Sequence, residues 1–181
     1  VVGNIGNPYT LEALKTTKDT VTVAEISSFQ LETVDTFHPA VSAILNVTPD
    51  HLNRHHTMDA YSGAKENIAK NQLTEEVCVL NYENEYTRKF GEKCPAKVVY
   101  FSSARELENG YFLQGEDIYK AEKGKAEKLM NTKTDMNLVG VCNVENVMAA
   151  IAIAKAMGVP YENILSTVKR FKAVEHRIEF V

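Results

Sequence analysis

The sequence has no tryptophan and only three cysteines, Cys78, Cys94 and Cys142, which are far apart and form no C-x-x-C pair. An odd number of dispersed cysteines is not typical of a disulfide framework or of a zinc knuckle. We therefore expect a cytoplasmic protein. Cys142 is interpreted as a small buried residue just before a helix, because no histidine lies near it in sequence to form a catalytic pair.

Long apolar segments and basic runs are also missing. The longest apolar run, from Val147 to Ala154, has eight residues, whereas a membrane-spanning helix needs about 20. Lysine and arginine never occur more than two in a row, and the formal net charge is −4. Because the apolar run is too short to span a membrane, we expect no membrane partner. General nucleic-acid binders carry a concentrated basic surface, so we do not expect a nucleic acid as partner either.

The composition is otherwise that of an ordinary globular chain, with 181 residues, 44% of them apolar and 24% charged. Domains have about 150 residues, so the length predicts one domain. The chain opens on Val1 and Val2 rather than on methionine. We therefore expect it to be part of a longer polypeptide.

Short β-branched runs alternate with amphipathic segments, which is typical of an α/β fold with a mostly parallel sheet flanked by helices. The region from Gly110 to Met130 alternates apolar and polar residues around glycines, and this pattern predicts a small antiparallel meander. Gly158 is expected to cap the longest helix. The predicted strands are 21–26, 41–47, 77–81 and 97–102, and the predicted helices are 10–16, 58–71, 85–90, 143–157 and 161–171.

Polar groups follow two of the predicted strands, as in an α/β active site. Strand 21–26 looks buried on both faces and delivers Glu25 at its end. That carboxylate is interpreted either as a cap for the following turn or as a ligand for a hard cation such as Mg²⁺. Strand 41–47 is followed by a dense titratable cluster formed by Asp50, His51, Arg54, His55 and His56.

Within this cluster, His51 is either a loop histidine satisfied by its neighbours or part of a site, and the density of titratable groups favours a site. His55 and His56 are expected to be solvated. Lys65 borders the apolar face of the helix that follows, at helical spacing from Tyr61 and Met58. Its amine either extends to water or is desolvated enough to act in chemistry as a neutral group.

Six sequence blocks in one order, spread along nearly the whole chain, resemble the central domain of the Mur ligases. The blocks are GNIGNP at 3–8, EISSFQLE at 25–32, LNVTPDHLNRH at 45–55, Tyr61 with Lys65, Asn143 with Asn146, and HRIE at 176–179. The resemblance implies a P-loop-type α/β domain at 1–171 that lacks its N-terminal part. It also implies a linker at 172–181 towards a C-terminal domain.

The function implied by the resemblance is that of an ATP-dependent amide ligase of peptidoglycan synthesis. ATP would phosphorylate the carboxylate of a nucleotide sugar, UDP-N-acetylmuramoyl-L-alanine, and the amine of D-glutamate would displace the phosphate. The block SSFQLE favours this pair of substrates within the family. The alternatives are a related amide ligase with a different amino acid, or a non-catalytic α/β binding module.

The resemblance also implies residue roles. Glu25 would hold a Mg²⁺ shared with the ATP phosphates, while His51 and a carbamate on Lys65 would hold a second Mg²⁺ at the reacting carboxylate. A lysine carbamate is an anionic oxygen ligand, which suits Mg²⁺. The residues implied to bind substrates are Asn4, Ser27 and Gln30 for the nucleotide sugar and Asn143, Asn146 and Arg177 for ATP.

The chain departs from the family pattern in three places. Asn53 and Cys142 stand where the family usually has aspartate and histidine, and no G-x-x-x-x-G-K-[ST] phosphate loop occurs. Because that loop holds nucleotide phosphates, we expect the 181 residues alone to be inactive. A strand missing beside 21–26 and 41–47 would also expose apolar edges, so the fragment is expected to self-associate.

Overall fold

The computed structural model describes residues 1–172, in which helices and strands alternate along the chain. The strands are β1 Val2–Gly3, β2 Ala24–Glu25, β3 Val41–Ile44, β4 Val77–Asn81, β5 Lys97–Ser102, β6 Gly110–Gln114, β7 Asp117–Glu122 and β8 Lys125–Asn131. The helices are α1 Tyr9–Ala13, α2 Ser28–Leu31, α3 Leu52–His55, α4 Met58–Glu66, α5 Glu85–Gly91, α6 Val141–Ala156 and α7 Tyr161–Arg170, with a 3₁₀ turn at Asn67–Ala69.

A six-stranded sheet with the order β3-β4-β5-β6-β7-β8 forms the centre of the fold. The strands from β3 to β6 are parallel, and β6, β7 and β8 form an antiparallel meander. The predicted fold class is therefore confirmed. Of the linker predicted at 172–181, all but residue 172 lies outside the described residues, so this domain boundary stays a prediction.

Alternation along β4 decides which helical layer each of its side chains meets. Val79 faces a core cluster that contains Met148 and Ile151 of α6, whereas Cys78 and Leu80 face the opposite cluster. That second cluster includes Tyr61 of α4 and Phe90 of α5. Because both faces of the parallel strands are covered, apolar residues occupy both sides of these strands.

Helix α6 ends where the sequence predicts. Gly158 has φ +83, which a residue with a side chain adopts only at a cost, and its N–H donates to the carbonyl of Lys155 at 3.0 Å. The N–H of Val159 donates to the carbonyl of Ala154 at 3.1 Å. These two hydrogen bonds use carbonyls of the last turn that no later helical residue reaches.

Two predictions about buried elements are wrong. The strand expected at 21–26 pairs only through β2, in a two-stranded sheet with β1, and Val21 and Val23 are 65% and 60% exposed. The β-branched residues had the right propensity, but β1 offers a partner to only two residues. Cys142 is exposed and lies inside α6, because the buried stripe of this helix starts at Val144.

Candidate functional site

The turn between β2 and α2 is closed by Ser27 and Gln30. The Ser27 hydroxyl oxygen accepts the Gln30 backbone N–H at 3.3 Å, and Gln30 Oε1 accepts the Ser27 backbone N–H at 2.9 Å. This reciprocal pair is a capping box. The cap is therefore Ser27, and the interpretation of Glu25 as the capping group is wrong.

Glu25 and Asn4 lie side by side because β1 runs parallel to β2. The Asn4 N–H donates to the carbonyl of Glu25 at 2.8 Å, and Gly3 is in register with Glu25. A Cβ at Gly3 would lie 2.1 Å from the Glu25 carbonyl oxygen. The Glu25 side chain is exposed, and within residues 1–172 its carboxylate enters no ion pair or hydrogen bond.

The segment that carries His51 is a single helical turn, α3, with an unusual backbone at both ends. His51 has φ 53 and His56 has φ 66, although neither residue is glycine. Each such residue costs about 1–3 kcal/mol, and positions of this kind concentrate at functional sites. Asp50 supports the turn, because its Oδ1 accepts the His51 N–H at 2.8 Å.

Four rings from three elements meet next to this turn, and we call Phe29, His51, His55 and Tyr61 the aromatic cluster. The ring centre of Phe29 lies 4.8 Å from that of His51 and 5.5 Å from that of His55. The ring centre of Tyr61 lies 6.3 Å from His51 and 5.1 Å from His55. The cluster therefore joins α2, α3 and α4 into one unit.

Lys65 lies on the same ring system, as its position on the border of the apolar face of α4 predicts. Its Nζ is 5.1 Å from the ring centre of Tyr61, and the side chain is partly buried. Within the described part of the chain, no carboxylate pairs with this amine. The structure thus brings His51 and Lys65 to one ring, while Glu25 stands on β2 and is joined to neither by a hydrogen bond or ion pair among residues 1–172.

His55 was expected to be solvated, and this prediction is wrong, because the residue is buried. Its Nε2 lies 3.0 Å from the hydroxyl oxygen of Ser28, and its Nδ1 lies 3.3 Å from Glu32 Oε1. Arg54 binds the same carboxylate, with Nη2 2.7 Å from Glu32 Oε2. The hydrogen bond from Arg54 is the main reason that the pKa of Glu32 is lowered, so Glu32 stays an acceptor.

Of the predicted metal ligands, the Glu25 carboxylate supplies the oxygen donors that a hard cation such as Mg²⁺ prefers. A group of three or more His, Cys, Asp or Glu side chains able to share one ion does not occur among residues 1–172. The predicted ligands do not require such a group, because they are divided between two ions and one of them is Lys65. Lys65 would supply oxygen donors only as a carbamate, and no carboxylate among the described residues pairs with its amine.

The residues predicted to bind ATP form a separate group. Asn143 lies in the first turn of α6, and its Nδ2 donates to the carbonyl of Val139 at 2.7 Å. Asn146 is exposed one turn later, and Arg177 lies outside the described residues. No hydrogen bond within residues 1–172 joins Asn143 or Asn146 to the aromatic cluster.

Sequence reasoning missed the partners that organise the aromatic cluster, Ser28, Phe29 and Glu32. Only their place in the sequence block at 25–32 marked them, and nothing in the sequence indicates that His55 pairs with a serine that precedes it by 27 residues. An open cavity of about 410 Å³ lies elsewhere, between the amino ends of β3 and β4 and the end of α6. Ligand sites of open α/β sheets lie at the opposite, carboxyl ends.

In the described residues no helix has the length and apolarity that a membrane crossing requires.

Comparison with known proteins identifies the family to which the chain belongs. A family model described as the Mur ligase middle domain matches residues 2–154. The chain is 57% identical over all its 181 residues to UDP-N-acetylmuramoylalanine--D-glutamate ligase of Lachnospira eligens, and 54% identical to the enzyme of that name from Lachnoclostridium phytofermentans. It spans 40% of the length of each.

Solved structures show the same fold at lower identity. A UDP-N-acetylmuramoyl-L-alanyl-D-glutamate--2,6-diaminopimelate ligase superposes with a TM-score of 0.66 at 20% identity, over 87% of this chain and 34% of the other. The MurF ligase of Thermotoga maritima in complex with ADP superposes with a TM-score of 0.58 at 16% identity, over 86% and 36%. On the family match and the close relatives, the chain belongs to the Mur ligase family and carries its middle domain.

Proposed function

We propose that this chain is the central part of an ATP-dependent ligase that joins D-glutamate to UDP-N-acetylmuramoyl-L-alanine in peptidoglycan synthesis. The observation that carries the proposal is the 57% identity, over the whole chain, to the Lachnospira eligens enzyme named for this reaction. Because the chain spans 40% of that relative, the activity belongs to the full-length protein that contains it. A cytoplasmic site of action follows from the same assignment.

The proposed reaction has two steps. A carboxylate oxygen of the nucleotide sugar attacks the γ-phosphorus of ATP, so that an acyl phosphate forms and ADP leaves. The D-glutamate amine then attacks the acyl carbon; the C–N bond forms, the C–O bond to phosphate breaks, and the amine loses a proton. Both steps bring anions together, so the site must neutralise negative charge while excluding water.

Three residues are suited to hold the cations that such a reaction needs. The Glu25 carboxylate, the His51 imidazole and a carbamate on Lys65 would hold Mg²⁺, which when bound offsets the charge of phosphate and carboxylate. The partly buried position of Lys65 supports the carbamate, because its amine pairs with no carboxylate in the described residues. The rings of Phe29 and Tyr61 both lie against the His51 ring.

The substrates would be bound on either side of this centre. Asn4, Ser27 and Gln30 are proposed to contact the nucleotide sugar. The hydrogen bond between Asn4, just after β1, and Glu25 of β2 supports this, because it places Asn4 beside Glu25. Asn143, Asn146 and Arg177 are proposed to contact ATP. The ADP complex of the structurally similar ligase from Thermotoga maritima supports a nucleotide at this fold.

The test is an amide-formation assay on the full-length protein with ATP, Mg²⁺, UDP-N-acetylmuramoyl-L-alanine and a panel of amino acids. We expect ADP release that depends on D-glutamate, with loss of turnover in Lys65→Ala but not in Lys70→Ala. Lys70 is an exposed lysine five positions further along the chain, which makes it a matched control. Product with a different amino acid would assign another Mur ligase, and no product with any amino acid would contradict the proposal.

A further inference from the structure

The imidazole of His55 uses both of its ring nitrogens inside the protein. Ser28 of α2 contacts Nε2 at 3.0 Å, and Glu32, the residue that follows α2, contacts Nδ1 at 3.3 Å. Both Ser28 and His55 are buried. Within the described part of the chain, His55 is the hydrogen-bond partner of the Ser28 hydroxyl. The ring therefore joins α3 to the first residue of α2 and to the residue just after α2.

The chemistry of the partners orients the ring. Glu32 is held as a carboxylate by Arg54, so it can only accept a hydrogen bond, and its Oε1 faces Nδ1 at 3.3 Å. The Ser28 hydroxyl, which can donate or accept, faces Nε2 at 3.0 Å. A ring flipped by half a turn would place carbon atoms opposite both partners, so the two contacts fix the orientation of the ring.

The faces of the same ring support the rings that hold His51. His55 stacks on Phe29 with an angle of 8° between the planes, and it packs against Tyr61 at 5.1 Å. Phe29 and Tyr61 are also the two rings that contact His51, at 4.8 and 6.3 Å. The position of the His51 imidazole therefore depends on where His55 is held.

We propose that His55, oriented by Ser28 and Glu32, is a positioning residue that sets the His51 imidazole for ligation at the reacting carboxylate. The inference rests on the function proposed above, because it concerns the same centre. His55 does not itself touch substrate or metal; it acts through Phe29, Tyr61 and the α3 turn.

The test uses the full-length protein and Mn²⁺ as the probe, with binding followed by electron paramagnetic resonance and kcat and the half-saturating Mg²⁺ concentration measured beside it. His55→Phe keeps a planar ring but loses the hydrogen bond with Ser28 and the contact of Nδ1 with Glu32. We expect metal affinity to fall about tenfold or more, as is usual when a supporting partner of a ligand is removed. His55→Gln, which can still reach Ser28, should recover part of the loss. The KM for ATP should not change.

Ser28→Ala separates this role from a general loss of stability, because it removes one hydroxyl from a buried site. Its matched control is Ser62→Ala, which also removes a buried serine hydroxyl but one that donates to Glu66. We expect Ser28→Ala to weaken Mn²⁺ binding and Ser62→Ala to leave it unchanged. Equal effects of the two serine variants would overturn the inference.

A double-mutant cycle shows whether His55 acts through His51. In a His51→Ala background, His55→Phe should weaken Mn²⁺ binding by much less than it does alone. Effects that simply multiply would overturn the inference. A wild-type protein without ligase activity would refute the proposed function, whereas an active wild type whose His55→Phe variant binds Mn²⁺ normally would refute the positioning role alone.

Discussion

The Nζ of Lys65 lies 5.1 Å from the centre of the buried Tyr61 ring, and no carboxylate within residues 1–172 pairs with it. Most other lysine contacts of the described chain are with acids, for example Lys93 with Glu66 at 2.7 Å. A cation–π contact at a partly exposed site is worth only about 0.5–1 kcal/mol. Lys65 therefore differs from these lysines in that its contact is an aromatic ring and not a carboxylate.

Lys65→Ala in the full-length protein is expected to reduce turnover by about two orders of magnitude, the loss typical when one group that stabilises developing charge is removed. Acetate or formate should restore part of the activity, because a small carboxylate can occupy the place of the carbamate. Lys65→Arg should stay inactive with or without these anions, since guanidinium remains charged and takes up no CO₂. The measurement is initial rate against acetate concentration, with circular dichroism to verify folding.

A wild-type rate for Lys65→Ala or Lys65→Arg in the absence of added anion would exclude the carbamate role. Lys70→Ala, treated in the same way, should show neither loss nor rescue.

Gly3→Ala is expected to disturb the site through the backbone rather than through a side chain. Gly3 has φ +112, and a Cβ there would lie 2.1 Å from the Glu25 carbonyl oxygen. Gly115→Ala is a matched control, because Gly115 also has a positive φ but nothing lies within 4 Å of its Cβ position. A positive φ costs a non-glycine residue roughly 1–2 kcal/mol. In Gly3→Ala, the free energy needed to displace β2 comes on top of that cost.

Urea unfolding and the ligase assay together test this expectation. Gly3→Ala should lose more unfolding free energy than Gly115→Ala, and it alone should lose activity. Equal losses in the two variants would show that the contact between Gly3 and Glu25 does not hold the site.

The sheet was predictable from the sequence because burial on both faces leaves continuous apolar runs. The bounds predicted for β4 and β5, 77–81 and 97–102, are those observed. The strand expected at 21–26 failed for a physical reason, since propensity describes how a residue fits a sheet but not whether a neighbouring strand is present. Only Ala24 and Glu25 find partners, on β1.

The candidate site was predictable only in part. His51 and Lys65 were identified by their place after a strand and on a helix face, and the structure brings both to Tyr61. Which of His55 and His56 is buried was not accessible, because α3 is one turn long and two positive φ angles, at His51 and His56, enclose it. A turn this short has no periodicity from which a buried face can be inferred.

Glu76 is expected to make the stability of the fold depend on acid. The pKa of its carboxyl is lowered, first by the Leu73 N–H, which donates to Oε2 at 2.7 Å, and then by His38, whose Nε2 lies 2.6 Å from the same atom. A lowered pKa in the folded state means that the stabilisation is present above the unfolded pKa, near 4.3, and is lost as the pH falls through the folded value. Glu76→Gln should therefore be less stable than wild type at neutral pH and lose less stability on acidification.

Urea unfolding of the wild type and the variant between about pH 7 and pH 3 measures this difference. Glu75→Gln is the control, since within residues 1–172 the carboxylate of Glu75 accepts only a hydrogen bond from Thr74 at 3.3 Å. Parallel pH profiles for wild type and Glu76→Gln would contradict the assignment.

The isolated 181 residues are expected to self-associate through their N-terminal region. Leu14 is 87% exposed and Val21 65%, and Leu11 and Val23 nearby are also exposed. In the described part of the chain β3 is an edge of the six-stranded sheet, with a free side that a second strand could pair with. Exposed apolar side chains and an open strand edge both favour association between chains.

Size-exclusion chromatography with light scattering on the 181-residue chain tests this prediction over a range of concentrations. We expect a mass above that of the 20.2 kDa monomer at high concentration, and a shift towards the monomer in Leu14→Glu and Val21→Glu. Leu73→Glu is the matched control, because Leu73 is 52% exposed but lies between the 3₁₀ turn and β4, away from the N-terminal region in sequence. A wild-type chain that stays monomeric at every concentration, or an equal response to all three substitutions, would show that these apolar residues do not mediate association.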